Sequence, residues 1–328
     1  MAVPFTSSSR WLSRLNMLNN RRHRFPSRFC EYFSSSPDLP ASSGPPPVRV
    51  AITELAGRGV FATREIGAGE QLHTAKPVVS FPSPSSTDSV CYLCLKKLPP
   101  AKSSSGERFV FCSYECREQS KMFCEVESQA DWSEFDEHCR VMGLKYPFLV
   151  KRLACMVAAG SQSSDCLSIL QPAILSHEMV SVMDKGYELL TNCLAKTQVP
   201  VEKTLFLTKQ WYYNVLARLH LNSFRIELAM GSYEDLLSSA AACIEAEIAV
   251  GNAVYILPSF YNHDCDPNAH IVWIDNANAR LKSLRHIEAG EEVRICYIDV
   301  SMDRSARQSM LSNGFGFQCN CVRCASGD

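Results

Sequence analysis

Eight of the sixteen cysteines in this 328-residue chain stand at spacings that suit a metal ion. Cys319-x-Cys321-x-x-Cys324 gathers three thiols at the C-terminus, too close-set for ordinary core cysteines, and three thiolates on one tetrahedral Zn2+ still need a fourth ligand. Cys265, in the polar turn Asn262-His263-Asp264-Cys265-Asp266-Pro267-Asn268, is the best donor. Cys91-x-x-Cys94 and Cys112-x-x-x-Cys116, separated by 17 residues, make a second set of four thiols, a staple for a short module with few apolar residues of its own. Two Zn2+ ions are therefore expected. Cys124, His138 and Cys139 lie nearby without a matching second pair and are read as packed or surface residues. Scattered cysteines in apolar helical stretches behave as small hydrophobes, so a cysteine nucleophile has no support.

Three further stretches carry chemistry when taken in order. Gly57-Arg58-Gly59-Val60-Phe61-Ala62-Thr63-Arg64-Glu65-Ile66-Gly67-Ala68-Gly69-Glu70 comes first, then Asn262 to Asn268, then Gly290-Glu291-Glu292-Val293-Arg294-Ile295-Cys296-Tyr297-Ile298-Asp299 ahead of the terminal cysteines. A lone Gly-x-Gly turn or a lone histidine says little. Together and in this order, across about residues 49–326, they resemble SET-domain protein-lysine methyltransferases. The Cys91 to Cys116 block narrows the likeness to the SET-and-MYND type, and the chain is similar to plant trithorax-related histone-lysine methyltransferases. It departs from the pattern twice: the MYND-like finger has ligands for only one zinc, and Asp264 stands where the family often has serine.

The resemblance implies transfer of a methyl group from S-adenosylmethionine to the side-chain amine of a lysine-bearing protein, histone or non-histone. It makes Tyr297 the catalytic residue, its hydroxyl at the methyl-transfer point. Asn262 and His263 would hold the cofactor through backbone and side-chain hydrogen bonds, Arg58 would contact its polar end, and Phe317 would cover the adenine, pinned by the terminal zinc. Phe224, Tyr255, Tyr261 and Phe315 are candidates for the apolar channel around the target lysine, and each reads equally well as plain core. Such chemistry asks for alignment, a dry channel and a neutral amine, because a free lysine, with a pKa of about 10.4, is protonated at neutral pH. A rigid tyrosine hydroxyl that stays neutral suits the task. The competing class is a SET and zinc-finger scaffold that recruits a protein without catalysis.

Charge and composition exclude other classes. The formal net charge is -1, yet residues 1–33 hold six arginines against Glu31 alone, so the rest of the chain is net acidic. An acidic body is poorly suited to neutralising nucleic-acid phosphates and compatible with a basic protein substrate. No apolar run approaches the roughly 20 residues that span a bilayer. The first 30 residues have no acid and no lysine and are rich in Ser and Arg, the composition of a transit peptide for mitochondrion or plastid, or of a disordered basic tail. Family resemblance instead points to the nucleus and chromatin.

The elements that must position these residues follow from hydrophobic periodicity. The expected class is α+β: a SET-domain β-fold with knot-like C-terminal threading, split by a zinc-finger and helical insertion and closed by a zinc-bound post-SET tail. The expected order is a linker at 34–47, the first SET part at 48–80, the MYND-like zinc module at 90–140, a helical insertion at 141–250, the second SET part at 251–300 and the post-SET segment at 301–328. Val48 to Leu55 alternates as a strand, Phe81 to Ser89 reads as a second linker, and Ile271 to Ile274, Ala279 to Leu284 and Glu292 to Tyr297 read as short strands. Leu205, Trp211, Tyr212, Val215, Leu216, Leu219 and Phe224, and again Tyr233 to Ile248, recur at helical spacing.

Overall fold

A computed structural model describes residues 45–54, 56–99, 108–229 and 249–328. The expected transit peptide, most of the first linker and the periodic stretch from Tyr233 to Ile248 lie outside these residues.

Four short strands open the described chain: β1 (Val48–Ile52), β2 (Arg58–Ala62), β3 (Gln71–Ala75) and β4 (Val79–Pro82). A helical block follows, α1 (Tyr114–Ser128), α2 (Ser133–Val141), α3 (Tyr146–Ala158), α4 (His177–Ala195) and α5 (Lys209–Asn222). The chain then returns to strands, β5 (Ser223–Ile226), β6 (Gly251–Val254), β7 (Asn262–His263), β8 (Ala269–Val272), β9 (Ala279–Ser283) and β10 (Glu292–Ile295). Helices α6 (Arg304–Phe315) and α7 (Val322–Ala325) finish it. No described helix is long and apolar enough to cross a membrane.

Each sheet joins strands from before and after the helical block, so the two β-rich parts make one body. The sheet orders are β1-β2-β10-β7, β3-β9-β8 and β4-β6-β5. In the first, β10 lies between β2, to which it is antiparallel, and β7, to which it is parallel, with Arg294 opposite Asn262 and Ile295 opposite His263. This register carries the chain on to Tyr297 directly beside the Asn262 turn. Ala75, Ile226, Ala253, Tyr255 and Ala279, drawn from the other two sheets and their edges, share one apolar cluster.

Helix starts follow their caps. Ser113, Ser176, Thr208 and Asp303 each accept a backbone N–H of the first turn and start α1, α4, α5 and α6. Gly316, at φ 78°, ends α6 in the left-handed conformation that glycine takes without steric cost. Helix α3 is apolar nearly all round and packs against α1, α5 and β4. Each of its buried leucines or valines contributes about 1.5–3 kcal/mol. Its two buried cations are paired: Lys151 lies 2.8 Å from Asp136 and 3.8 Å from Glu127, and Arg152 lies 3.5 Å from Glu127.

Several expectations need correction. Phe81 is in β4, buried and hydrogen-bonded opposite Asn252, and not in a linker. Leu205 precedes α5 in an exposed turn, and Phe224 belongs to β5. Among the described residues the last helix of this block ends at Asn222, because the four residues of β5 pair with β6 and complete a sheet. A four-residue strand is too short for its period to separate it from the helix before it.

Candidate functional site

Tyr297 lies just past β10, with its ring among residues of the β7 turn and of the segment that ends α6. The ring centroid is 5.3 Å from His263, 4.9 Å from Phe315 and 6.4 Å from Phe317. Its hydroxyl donates to the Tyr261 carbonyl at 2.5 Å, and its backbone N–H donates to His263 Nδ1 at 3.1 Å. Burial pushes the phenol well above its ordinary pKa, so it stays neutral at physiological pH. A carbonyl only accepts, so the hydroxyl proton is committed to Tyr261 and the oxygen lone pairs are left to accept other groups.

Asn262 and Arg58 flank this tyrosine segment through β7 and β2. Asn262 Nδ2 donates to the Arg58 carbonyl at 3.1 Å and to Glu292 Oε1 at 2.7 Å. Gly59 makes the close approach possible, since a Cβ there would lie 2.5 Å from Glu292 Oε1 and 3.0 Å from Asn262 Nδ2. The Arg58 guanidinium rests over the Phe260 ring at 4.6 Å and donates through Nη2 to Ile169 O. Among the described residues no carboxylate pairs with it, and partial burial lowers its pKa. It is a positive group, half-desolvated, with no counter-ion among the described residues.

His263 has both ring nitrogens engaged. Nδ1 takes the Tyr297 N–H, and Nε2 faces Cys265 Sγ at 3.2 Å. Burial lowers its pKa to about 4, which keeps the ring neutral. Cofactor contact by the side chain, expected from the sequence, has no free ring nitrogen to use.

The four aromatic channel candidates separate. Phe315, at the end of α6, stays beside Tyr297. Tyr261 lends its carbonyl, but its ring turns into the core, where His73 Nε2 meets its hydroxyl at 2.8 Å. Phe224 and Tyr255 form a different group with Trp273: their ring centroids are 5.5 Å apart, and Trp273 Nε1 donates to Tyr255 Oη at 2.9 Å. Tyr255 is fully buried and donates to Ala277 O, which makes it a core residue. None of the ring contacts of Phe224 or Tyr255 reaches Tyr297.

Both cysteine sets converge. Cys91, Cys94, Cys112 and Cys116 bring their sulfurs within 4.8 Å of one another, and so do Cys265, Cys319, Cys321 and Cys324. Tetrahedral zinc with Zn–S bonds of about 2.3 Å needs sulfurs about 3.8 Å apart. The measured Cys94–Cys112 and Cys265–Cys324 separations are 3.6 Å, and Cys265–Cys319 is 3.9 Å. The residues fit the metal at both places. Arg307, fully buried, aims Nη2 at Cys324 Sγ from 3.7 Å. Asp264, the departure from serine, pairs with Arg294 at 3.3 Å, which with Glu292 also holds the Arg294 fork.

Sequence reasoning missed Glu292, His73, Ile169 and Arg307. Only Glu292 sat inside a quoted motif; Ile169 and His73 meet their partners across 111 and 188 positions, and Arg307 meets Cys324 across 17.

Comparison with known proteins identifies relatives of the chain. A family model described as SET domain matches residues 57–298. Histone-lysine N-methyltransferase ATXR4 of Arabidopsis thaliana is 56% identical over 321 residues, covering 98% of this chain and 97% of that protein. A SET and MYND domain-containing protein of Dictyostelium discoideum is 26% identical over 266 residues, covering 76% of this chain and 75% of that one. Among solved structures, the SET domain of LSMT bound to lysine and AdoHcy matches with 16% identity and a TM-score of 0.36 over 84% of this chain, which spans 54% of that chain. With a SET model covering most of its length, and a relative of the same size sharing more than half its residues, the chain belongs to the SET-domain family.

Proposed function

We propose that the chain is an S-adenosylmethionine-dependent protein-lysine N-methyltransferase whose reaction centre is Tyr297. The observation that carries this is the Tyr297 hydroxyl, held by the Tyr261 carbonyl and boxed by His263, Phe315 and Phe317 beside the Arg58–Asn262 junction. The close plant relative is named as a histone-lysine methyltransferase, which supports a lysine-bearing protein as substrate.

S-adenosylmethionine supplies the methyl group on a positively charged sulfur. Around that sulfur the chain supplies position and dryness. The unpaired Arg58 guanidinium suits the carboxylate of the cofactor, and the Asn262 backbone and the Phe317 ring suit its polar and adenine parts. His263 acts through Tyr297: it fixes the backbone of the tyrosine and leaves the cofactor to its neighbours. The Tyr297 hydroxyl, with its proton spent on Tyr261, turns its lone pairs toward the reacting methyl and amine. The target lysine would have to reach Tyr297 as the neutral amine, its proton passed to water, and S-adenosylmethionine, when bound, would supply the methyl group and leave with the electrons of its S–C bond. An apolar wall favours the neutral amine and the loss of sulfonium charge in the transition state.

Chromatin is the compartment that the named relative supports, and the Arg-rich, acid-free first 30 residues support an organelle instead. One experiment addresses both. The full chain, wild type and Tyr297→Phe, is incubated with radiolabelled S-adenosylmethionine and either core histones or an organellar protein extract. Label that falls about a hundredfold or more in the variant supports the enzyme and indicates its compartment. Equal label in both proteins removes Tyr297 from the chemistry, and cofactor binding with no label on any substrate favours a scaffold.

A further inference from the structure

Cys91 and Cys94 bracket a knuckle with little freedom left. Leu95, just past the second thiol, has φ 61°, the left-handed region that a branched side chain seldom occupies unless its surroundings hold it there. The bend is closed by Leu95 N–H to Cys91 O at 2.9 Å and by Cys91 N–H to Lys96 O at 2.8 Å.

Three successive carbonyls of this knuckle receive donors from three separate parts of the fold, one in the helical block and two in the β-rich body. Tyr92 O takes Arg152 Nη1 of α3 at 3.1 Å, Leu93 O takes Ser80 Oγ of β4 at 2.7 Å, and Cys94 O takes the Ala277 N–H, between β8 and β9, at 2.7 Å. The Leu95 side chain is fully buried in one apolar cluster with Ile226, Tyr255, Ala277 and Ala279. Gly251 of β6 leaves room for it: a Cβ there would lie 2.8 Å from Leu95 Cδ1 and 2.4 Å from Phe81 O. Ala277 then carries the connection onward, since its own carbonyl accepts the Tyr255 hydroxyl, which Trp273 Nε1 also meets.

The knuckle spends three of its backbone carbonyls on the fold that carries it. We propose that the zinc centre of Cys91, Cys94, Cys112 and Cys116 is a keystone of the catalytic body. Metal binding sets the left-handed turn, the turn seats Leu95 and presents three carbonyls to Arg152, Ser80 and Ala277, and these hold the β4-β6-β5 sheet and the Phe224–Tyr255–Trp273 group in place. Because a preformed ligand set rarely exists in an unfolded chain, binding energy at this centre becomes folding energy of the sheet.

The test uses metal content and amide protection of the full chain, so it stands whether or not the chain transfers methyl groups. Cys94→Ser is expected to lower zinc from two per chain to one, to lower the melting temperature by about 5 °C or more, and to speed amide exchange at Ala277 and across Gly251–Val254 by about tenfold. Exchange at Cys319 to Cys324 is expected to stay unchanged. Loss of one zinc with melting and Ala277 exchange both unaltered would overturn the proposal and leave a peripheral docking module. Should Cys94→Ser fail to fold, Ser80→Ala decides: it leaves all four thiols intact and removes only the hydroxyl on Leu93 O. Several-fold faster zinc release to a chelator supports the keystone; an unchanged release rate overturns it.

Discussion

The Tyr297 backbone N–H donates to His263 Nδ1 at 3.1 Å, and that bond fixes the tautomer of the imidazole. With Nδ1 accepting, the ring proton sits on Nε2 and points at Cys265 Sγ, 3.2 Å away. One neutral ring thus joins the proposed reaction centre to the second metal cluster. A hydrogen bond from outside the ligand set orients a ligand and tunes its affinity, as outer partners of metal sites commonly do.

His263→Ala should therefore disturb two things together. Turnover is expected to fall by about 10–100-fold, the usual cost of mutating an outer partner of a metal site, and zinc release from the C-terminal cluster should accelerate. Parallel measurements of kcat, cofactor Kd and chelator-induced zinc release check this. A variant that weakens cofactor binding alone, with zinc release unchanged, would return His263 to the direct cofactor role implied by the family resemblance.

Gly59→Ala tests the junction of β2, β7 and β10. The new methyl would lie 2.5 Å from Glu292 Oε1 and 2.7 Å from Thr53 Cγ2, so the Asn262–Glu292 bond must shift or break. Overpacking of this kind costs about 1–3 kcal/mol. The expected result is a lower denaturation midpoint and weaker cofactor binding by calorimetry, with zinc content kept at two. Wild-type affinity would show that the close approach at Gly59 has no part in the site.

What could be read from sequence and what could not divides along a physical line. The thiol sets were legible because a tetrahedral ion demands short returns of the chain, and Cys91 to Cys94 or Cys319 to Cys324 are such returns. Tyr297 and Asn262 drew notice through the order of the motifs around them, and the sheet brings their segments together. The partners of those residues were not: Arg58 meets Ile169 across 111 positions, and His73 meets Tyr261 across 188. No period or short spacing encodes such a pair, which exists only once the sheets are packed. Tyr255 and Phe224 failed for the converse reason, since an aromatic ring that lines a channel and one that fills a core look alike in sequence.

The buried pair of His73 and Tyr261 predicts a pH dependence. Burial lowers the His73 pKa to about 3, against about 6.5 in an unfolded chain. Between these values the unfolded chain binds a proton that the folded chain does not, so His73 adds full stability above about 6.5 and loses it progressively as pH falls toward 3. Carboxylates such as Glu70, lowered by the Arg64 hydrogen bond, and Glu291, where burial raises the pKa but backbone and side-chain hydrogen bonds outweigh it, add to the same acid sensitivity at lower pH. His73→Gln can still bond the Tyr261 hydroxyl but does not titrate. Its stability, followed by denaturant unfolding, is expected to change less between pH 7 and pH 5 than that of the wild type; an identical slope would mean that His73 titrates normally in the folded chain.

Arg307 raises a separate question of charge. Four thiolates on one Zn2+ leave a net negative centre, and the fully buried Arg307 is the cation that aims a donor at it, through Nη2 to Cys324 Sγ at 3.7 Å. The same side chain donates to Met302 O at 2.7 Å and to Asp328 O, tying the cluster to the start of α6 and to the last residue of the chain. A flexible ammonium could supply the charge but not this fork of donors. Zinc retention against a chelator should therefore fall in the order wild type, Arg307→Lys, Arg307→Met, with the methionine variant releasing the C-terminal ion about tenfold or more faster. Because Phe315 closes α6 and Phe317 lies between that helix and this cluster, the same order is expected for the affinity of the chain for S-adenosylmethionine. A methionine variant that holds both zinc ions as tightly as the wild type would show that the thiolates need no buried counter-charge, and would leave Arg307 only the role of capping backbone carbonyls.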